Sequence, residues 1–412
     1  MNKENQTVAR DIFQGYRQER IFQAIYQSAY AKGYAFICWR DPEAAGFNCI
    51  INTSSTPFWC NPEIETMDRG FIFSPYDNQE NTRVLFFGAD IFLKCQNGGS
   101  WSVDNSFDKG SSGLTDAFME SAETLLRDHH SHFTDYYARE PGHSTRQNKK
   151  YFTDIIKNAV SEIKSGHFDK VVPARYKISP VPGSMHPIHA FVSVARAYPN
   201  SFISLVSAPY TGTWLGASPE VLISIQNNEI FTTAAVAGTQ AAKPGKRLSE
   251  VSWTQKEIEE QALVSRYIIN CFKKIRLREF SELGPKTVKA GNLFHLKSLY
   301  TVNIIETGFP LLGSVMLKLL HPTSAVCGMP KREAMNFLKE VEEGNREFYS
   351  GYLGPVNTEN RSALYVNIRC VNILSDSAIF YAGAGVTADS NPQKEWEETE
   401  IKIQTLSRFF RS

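Results

Sequence analysis

The sequence predicts an α+β protein. Short β-like runs gather in clusters between long amphipathic helices, where a regular βαβ alternation would space them singly. The 412 residues are 42% hydrophobic and 21% charged, the balance of a globular chain with a large core. No short-period repeat or low-complexity tract interrupts the pattern.

The elements follow in order. Ile21, Phe22, Ile25, Tyr26 and Ala29 recur at helical spacing, and Gly33 supplies a stop. Strand-like runs come next at Phe36–Trp39, Cys49–Asn52 and the strongly apolar Val84–Leu93. Gly98–Gly113 is rich in Gly, Ser, Asp and Asn and reads as a loop. A helix is expected over Thr115–Arg127, and the polar stretch His129–Lys150 reads as a linker. Residues 1–143 are therefore expected to form an N-terminal α/β lobe, and residues 144–412 a core that is itself one intertwined fold.

That second part opens on a well-marked helix. Ser144 and Gln147 have capping-box spacing, Tyr151, Phe152, Ile155, Ile156, Ala159, Val160 and Ile163 form a stripe, and Gly166 ends it. β-like runs follow at Lys170–Ile178, Phe202–Ser207, Trp214–Leu215, Val221–Ile225 and Ile230–Thr233. Long helices are expected over Ser252–Arg276 and Lys331–Glu342. Strands follow at Ala363–Leu374 and Ala378–Ala382, and a last helix runs from Pro392 to Phe410. Ser390–Asn391–Pro392 is a good helix start, and Trp396, Thr399, Ile403, Leu406 and Phe410 make its core-facing stripe.

Composition removes several classes of function. Lys+Arg 44 against Asp+Glu 43 leaves a net charge of +1, with no cationic excess for nucleic acid or a membrane surface. No apolar run approaches the ~18 residues a membrane helix needs, and MNKENQTVARDIFQ lacks a signal-peptide apolar region. The seven cysteines are scattered and form no C-x-x-C. A reduced, cytoplasmic, soluble protein is expected.

Several residues could carry chemistry. Glu395, Glu398 and Lys402 share a face of the last helix. They read either as a solvated face, with Glu398–Lys402 in the favoured i,i+4 orientation, or as two carboxylates placed to bind Mg²⁺. Ala382–Gly383–Ala384–Gly385 fits a dinucleotide fingerprint only formally, because the helix it should open starts later, at Pro392. It reads as backbone that offers N–H groups to an anion, or as a plain tight turn. Arg369 lies in an alternating run, either as an exposed strand arginine or as a bidentate partner for a carboxylate. Glu260 follows Lys256, Glu257 and Glu259 near a helix start, where acids also suit the helix dipole. Glu220 closes Trp214–Leu–Gly–Ala–Ser–Pro–Glu220 at an element boundary. His129, His130 and His132 have no accompanying metal-ligand spacing.

The order of the motifs says more than any one of them. Lys170–Val–Val–Pro–Ala–Arg175, Trp214–Leu–Gly–Ala–Ser–Pro–Glu220 and Ala237–Gly238–Thr239 occur in series. Lys256–Glu–Ile–Glu–Glu260, His295–Leu296 and His321–Pro–Thr–Ser–Ala–Val–Cys–Gly328 follow. Asn367–Ile–Arg369, Ala382–Gly–Ala–Gly385 and Glu395–Trp–Glu–Glu398 complete the set. From about Ser144 to the C-terminus this succession closely resembles the chorismate-utilising enzymes: isochorismate, salicylate, anthranilate and aminodeoxychorismate synthases. The resemblance implies two large antiparallel sheets packed together and flanked by helices, with the active site in a cleft. It also implies a Mg²⁺ bridging the ring carboxylate of chorismate to Glu260 and Glu398, with Glu395 nearby or acting through water. Arg369, Tyr349 and the Gly383 backbone would clamp the enolpyruvyl carboxylate. Gly238 with Thr239, Gly385 and Lys402 match further substrate-binding positions, and His295 stands near the ring carboxylate.

Within that family one residue separates the reactions. Water-using members carry Lys at the start of K-V-V-x-x-R and aminating members Gln; here it is Lys170. A desolvated lysine can lose its proton and then deprotonate water. Glu220 would be the acid for the departing C4 hydroxyl, with water adding at C2. The resemblance thus implies isochorismate synthase, an isomerase of menaquinone or siderophore biosynthesis. Salicylate synthase, which goes on to eliminate pyruvate, is the alternative, and a silent chorismate-binding protein the third reading. Ala237 replaces the lysine of the P-I-K-G-T string in aminodeoxychorismate synthases. No glutaminase subunit is expected, and a monomer or weak homodimer is. Gln261, Ala235 and Met329 depart from the usual His, Pro and Thr.

Overall fold

The computed structural model describes residues 13–76, 83–96, 99–104, 112–128, 135–139, 147–183, 185–241, 247–290 and 293–411. The first third holds α1 (Gln18–Ala31), β1 (Ala35–Arg40), β2 (Phe47–Asn52), β3 (Trp59–Cys60) and β4 (Gly70–Ser74). It continues with β5 (Val84–Gly88), β6 (Ile91–Cys95), β7 (Trp101–Asp104) and α2 (Ser112–Arg127). Then come α3 (Lys149–Lys164), β8 (Lys170–Val171), β9 (Ala174–Pro180), α4 (Pro187–Ala197), β10 (Phe202–Ala208) and β11 (Gly212–Ser218). After these lie β12 (Val221–Gln226), β13 (Ile230–Ala241), α5 (Gln255–Lys274), β14 (Ser281–Ala290), β15 (Leu293–Asn303), α6 (Ile304–Thr307) and α7 (Leu312–Leu320). The chain closes with β16 (Gly328–Met329), α8 (Lys331–Val341), β17 (Tyr352–Val356), β18 (Arg361–Val366), β19 (Cys370–Ile373), β20 (Ser377–Gly383) and α9 (Pro392–Ser407).

Among the described residues these strands build two nine-stranded sheets with antiparallel pairings. The first runs β7-β6-β2-β1-β10-β11-β19-β20-β9 and the second β14-β15-β13-β12-β18-β17-β4-β5-β3. Strand alternation sorts the core into layers. In β1, Ala35, Ile37 and Trp39 join Phe71, Phe73 and Tyr365 between the sheets, while Phe36 and Cys38 face α1 and α4. All six β1 residues are buried, which is why no polar alternation marks this strand. Helices α1, α2, α4 and α9 cover the outer face of the first sheet, and α5 and α7 that of the second. The result is a helix–sheet–sheet–helix stack, the α+β architecture the sequence implies.

The 143/144 division is not a boundary in this fold. Strand β1 pairs with β10 and β4 with β17, so the N-terminal third is not a lobe of its own but part of both sheets. The apolar run Val84–Leu93 is two strands in different sheets. A turn at Gly88–Asp90 separates them, and Asp90 accepts from the Thr53 amide (2.7 Å) and Oγ1 (2.8 Å). Residues of one run can be apolar for two cores. Trp101–Asp104, expected as loop, pairs with β6. Residues 363–374 are likewise two strands, one in each sheet. Helix α3 begins at Lys149, where Asn148 Oδ1 accepts from the Tyr151 amide at 3.0 Å. Ser144 and the His129, His130 and His132 cluster lie outside the described residues.

Candidate active site

The cleft forms where the chain passes from one sheet to the other. Pro219–Glu220 joins β11 of the first sheet to β12 of the second, and 367–369 joins β18 back to β19. The two crossings brace each other. Ser218 Oγ donates to the Val366 carbonyl (2.7 Å), the Val366 amide to that of Glu220 (3.0 Å), and the Ala217 amide to that of Arg369 (2.9 Å). A strand would expose alternate side chains; a crossing turns both Glu220 and Arg369 inward. Arg369 is therefore neither in a strand nor exposed. Its φ is +52°, an uncommon conformation for a residue with a Cβ, held here by the paired crossings.

Lys170 comes from β8, a short strand tied to β16 through the Met329↔Lys170 register. Val172–Pro173 interrupt the run before β9, so the expected continuous strand Lys170–Ile178 is broken beside the cleft. Gly238 and Thr239 sit at the irregular step of β13 between Ala237 and Gln240. Gly238 adopts a φ of +67°, and its carbonyl turns to accept from His295 Nδ1 at 2.9 Å. That bond puts the proton on Nδ1 and leaves Nε2 an acceptor. Gly385 is needed for closeness, since a Cβ there would lie 3.3 Å from Lys170 Cε.

Eleven of the thirteen residues expected from sequence line this one cleft: Lys170, Glu220, Gly238, His295, Tyr349, Arg369, Gly383, Gly385, Lys402, Glu260 and Glu398. Glu395 does not; it is buried behind, with Lys256 Nζ 2.9 Å from its Oε1 and 3.9 Å from Glu260 Oε1. Thr239 is one residue beyond the wall on β13. The sequence reading gave no role to the apolar lining: Val172, Pro219, Val236, Ala237, Ala325, Val326, Ile368, Tyr381 and Ala382, though Val172, Pro219, Ala237, Ile368 and Ala382 also lie within quoted motifs. Ala325 and Val326 likewise lie within the His321–Gly328 motif. The cleft encloses about 100 Å³.

Its charges are balanced and desolvated. Burial lowers the pKa of Lys170, while Glu260 opposes that shift. Burial pushes the Glu220 carboxyl up to about 7, against the pull of Lys170. Burial also raises Glu260. For Glu398 burial acts upward, but Lys402, with Nζ at 2.7 Å, Lys256 and Arg369 together outweigh it and hold the carboxyl below its ordinary value. Lys402 donates in addition to the Gly383 carbonyl at 2.7 Å. Burial drops His295 to about 3, with Arg369 adding to the fall, so the imidazole is neutral. Such a site pairs a lysine biased toward the neutral amine with a carboxyl biased toward the acid. Beside them stand a guanidinium and a second lysine for anionic groups.

A buried lysine and a buried glutamate thus share a cleft of mixed charge with a guanidinium and a second lysine. Residues 65–411 match the family described as chorismate binding enzyme, and the chain belongs to that family. The vibriobactin-specific isochorismate synthase of Vibrio cholerae is 28% identical over 198 residues, 47% of this chain and 49% of its own. Isochorismate synthase EntC of Escherichia coli is 30% identical over 210 residues, 48% of this chain and 51% of its own. The match thus spans about half the length of these curated relatives. The structure of MenF, the menaquinone-specific isochorismate synthase of Escherichia coli, shares the fold. Its TM-score is 0.71 at 20% identity, covering 94% of this chain and 91% of that one. Among the described residues no helix is long and apolar enough to cross a membrane.

Proposed function

We propose that the protein interconverts chorismate and isochorismate, adding water at C2 and removing the C4 hydroxyl. The observation that carries this is the pairing of Lys170 and Glu220, both buried in one cleft with oppositely biased protonation. Neutral Lys170 takes a proton from water; protonated Glu220 gives one to the leaving hydroxyl. A carboxyl whose pKa is about 7 is matched to proton donation near neutral pH. In the reverse direction the two exchange roles. Arg369, Tyr349 and the Gly383 backbone line the wall suited to one carboxylate of the substrate, and His295 stands near the other. A silent binder has no need of the acid–base pair.

The donor set fits a Mg²⁺ ion held by Glu260 and Glu398, hard oxygen ligands on two facing helices. The described residues hold no group of three or more acidic, His or Cys side chains placed for a metal. Coordination would be completed by substrate oxygen and water, with Glu395 kept behind by Lys256. When bound, the ion supplies positive charge for the substrate's ring carboxylate. Water as nucleophile makes a glutaminase subunit unnecessary, and the chain acts as a monomer or weak homodimer. All seven cysteines are free, which supports a reducing compartment, the cytoplasm.

The test is product identification from chorismate and Mg²⁺ without any amine. Time-resolved chromatography should reach a chorismate–isochorismate mixture from either side, with little pyruvate in a lactate-dehydrogenase-coupled assay. Activity should vanish with chelator and return with excess Mg²⁺. Stoichiometric pyruvate and salicylate would make salicylate synthase the better reading.

A further inference from the structure

Behind the cleft, Arg346 and Glu342 form an ion pair that does not line the cleft itself but a second, smaller cavity beside Ala174 and Tyr349. Arg346 is 6% exposed, and its guanidinium lies 4.3 Å from the Tyr76 ring centroid. Nε donates to Glu342 Oε2 at 2.8 Å and Nη2 to Oε1, a bidentate fork. The remaining donors reach the backbone of two cleft walls. Nη2 donates to the Val172 carbonyl and Nη1 to the Val326 carbonyl, both at 2.8 Å. Glu342 Oε1 in turn accepts from the Ala174 amide at 2.8 Å. Thus the chain is gripped at Val172, between β8 and β9, and at Ala174, the first residue of β9, two and four residues beyond Lys170. The Arg346 carbonyl also accepts from the amide of Tyr349, which lines the cleft.

Such a pair costs desolvation and is a poor source of stability for its own sake. Its bonds go to the Val172 carbonyl, between β8 and β9, and to the amide of Ala174 at the start of β9; the Val172 amide is held separately by the Cys327 carbonyl and the Pro173 carbonyl by the Ala384 amide. We propose that Glu342 and Arg346 are positioning residues for Lys170, holding its strand and the Val326 wall together so that the Lys170 amine meets the cleft but stays shielded from bulk water. This rests on the reading of Lys170 as the base. Lys170 faces Glu260, Glu220 and Glu398, which favour its charged form, and Lys402, which opposes it, with burial prevailing; loosening the grip admits water around Lys170 and restores its ordinary tendency to stay protonated.

The test uses the full chain with Arg346→Lys, Arg346→Gln and Glu342→Gln. Arg346→Lys keeps the charge opposite Glu342 but cannot span both carbonyls, so it covers the case in which the glutamine variants fold poorly. Each folded variant should move the limb of the kcat profile set by Lys170 to higher pH by about one unit. At a fixed pH below that limb this is about tenfold less neutral amine and about tenfold lower kcat. KM for chorismate should change little. The double variant Glu342→Gln with Arg346→Gln should not restore the profile, because two amides cannot replace the five-donor fork. A second readout needs no turnover: the pH dependence of Lys170 labelling by an amine-reactive reagent, followed by mass spectrometry. Its midpoint should rise by the same amount. A lower melting temperature with unmoved limb and unmoved labelling midpoint would mean a purely structural pair and overturn the proposal. If the wild type leaves chorismate unchanged, the functional reading fails, and the labelling midpoint still decides the positioning role.

Discussion

Lys170 shows how far a single residue can be read. Its type and its place in a motif point to water chemistry, but its usefulness as a base comes from burial, which no motif states. Lys170→Gln should leave chorismate binding, followed calorimetrically, nearly intact and lower turnover by ~10²–10⁴-fold. Substantial water-dependent activity in that variant would remove Lys170 from the mechanism. Glu220 gives a stability prediction with a definite sign. Its pKa is raised from 4.5 to about 7 in the fold, worth roughly 3 kcal/mol. That stabilisation of the protonated form is fully present below pH 4.5 and is lost as pH rises through about 7. Glu220→Gln, which is never charged, should therefore gain stability relative to the wild type between pH 5 and 8. Thermal melts across that range check it; parallel curves would contradict the buried, shifted carboxyl. Arg369 is the opposite case to Lys170. The alternating sequence around it favours an exposed strand arginine, and only the crossing between sheets turns it, half-buried, into the cleft.

At the scale of elements, helices were more legible than strands. Helix α9 announced itself through Asn391–Pro392 and its stripe, and Thr399, Ile403 and Leu406 are buried as that stripe requires. Asn391 Oδ1 accepts from the amides of Gln393 (3.0 Å) and Lys394 (3.1 Å). Asn391→Ala should cost about 1 kcal/mol, measurable by urea unfolding. Because α9 carries Glu398 and Lys402, a weaker response to Mg²⁺ should accompany that loss. Helix α4 went unseen although His186–Pro187 marks its start, with His186 Nδ1 accepting from the Ile188 amide at 3.2 Å. Strands were harder because so many lie between two cores. A segment buried on both faces loses its polar alternation, and a turn such as Gly88–Asp90 is too short to break an apolar run.

For the whole molecule the decisive fact is the sharing of both sheets by residues far apart in sequence. Strand β1 sits between β2 and β10, and β4 between β17 and β5. Removing residues 1–143 strips strands from both sheets and exposes Trp214, Phe348 and Tyr365 of the layer between them. Residues 144–412 expressed alone should therefore fail to give a cooperative unfolding transition, and should bind hydrophobic dye. A soluble fragment with a sharp melt would show that the later strands suffice.

The sequence by itself determined the residue types of the site, their order and so the family, because chemistry fixes side chains locally. It also determined the long helices, whose stripes are a short-range pattern. Tertiary structure alone decided that the first third belongs to both sheets and that Arg369 and Glu220 lie at adjacent crossings. It also decided that Glu395 is held by Lys256 away from the cleft wall. Strand pairing joins residues hundreds of positions apart, and burial, with the protonation it imposes, exists only once those pairs are made.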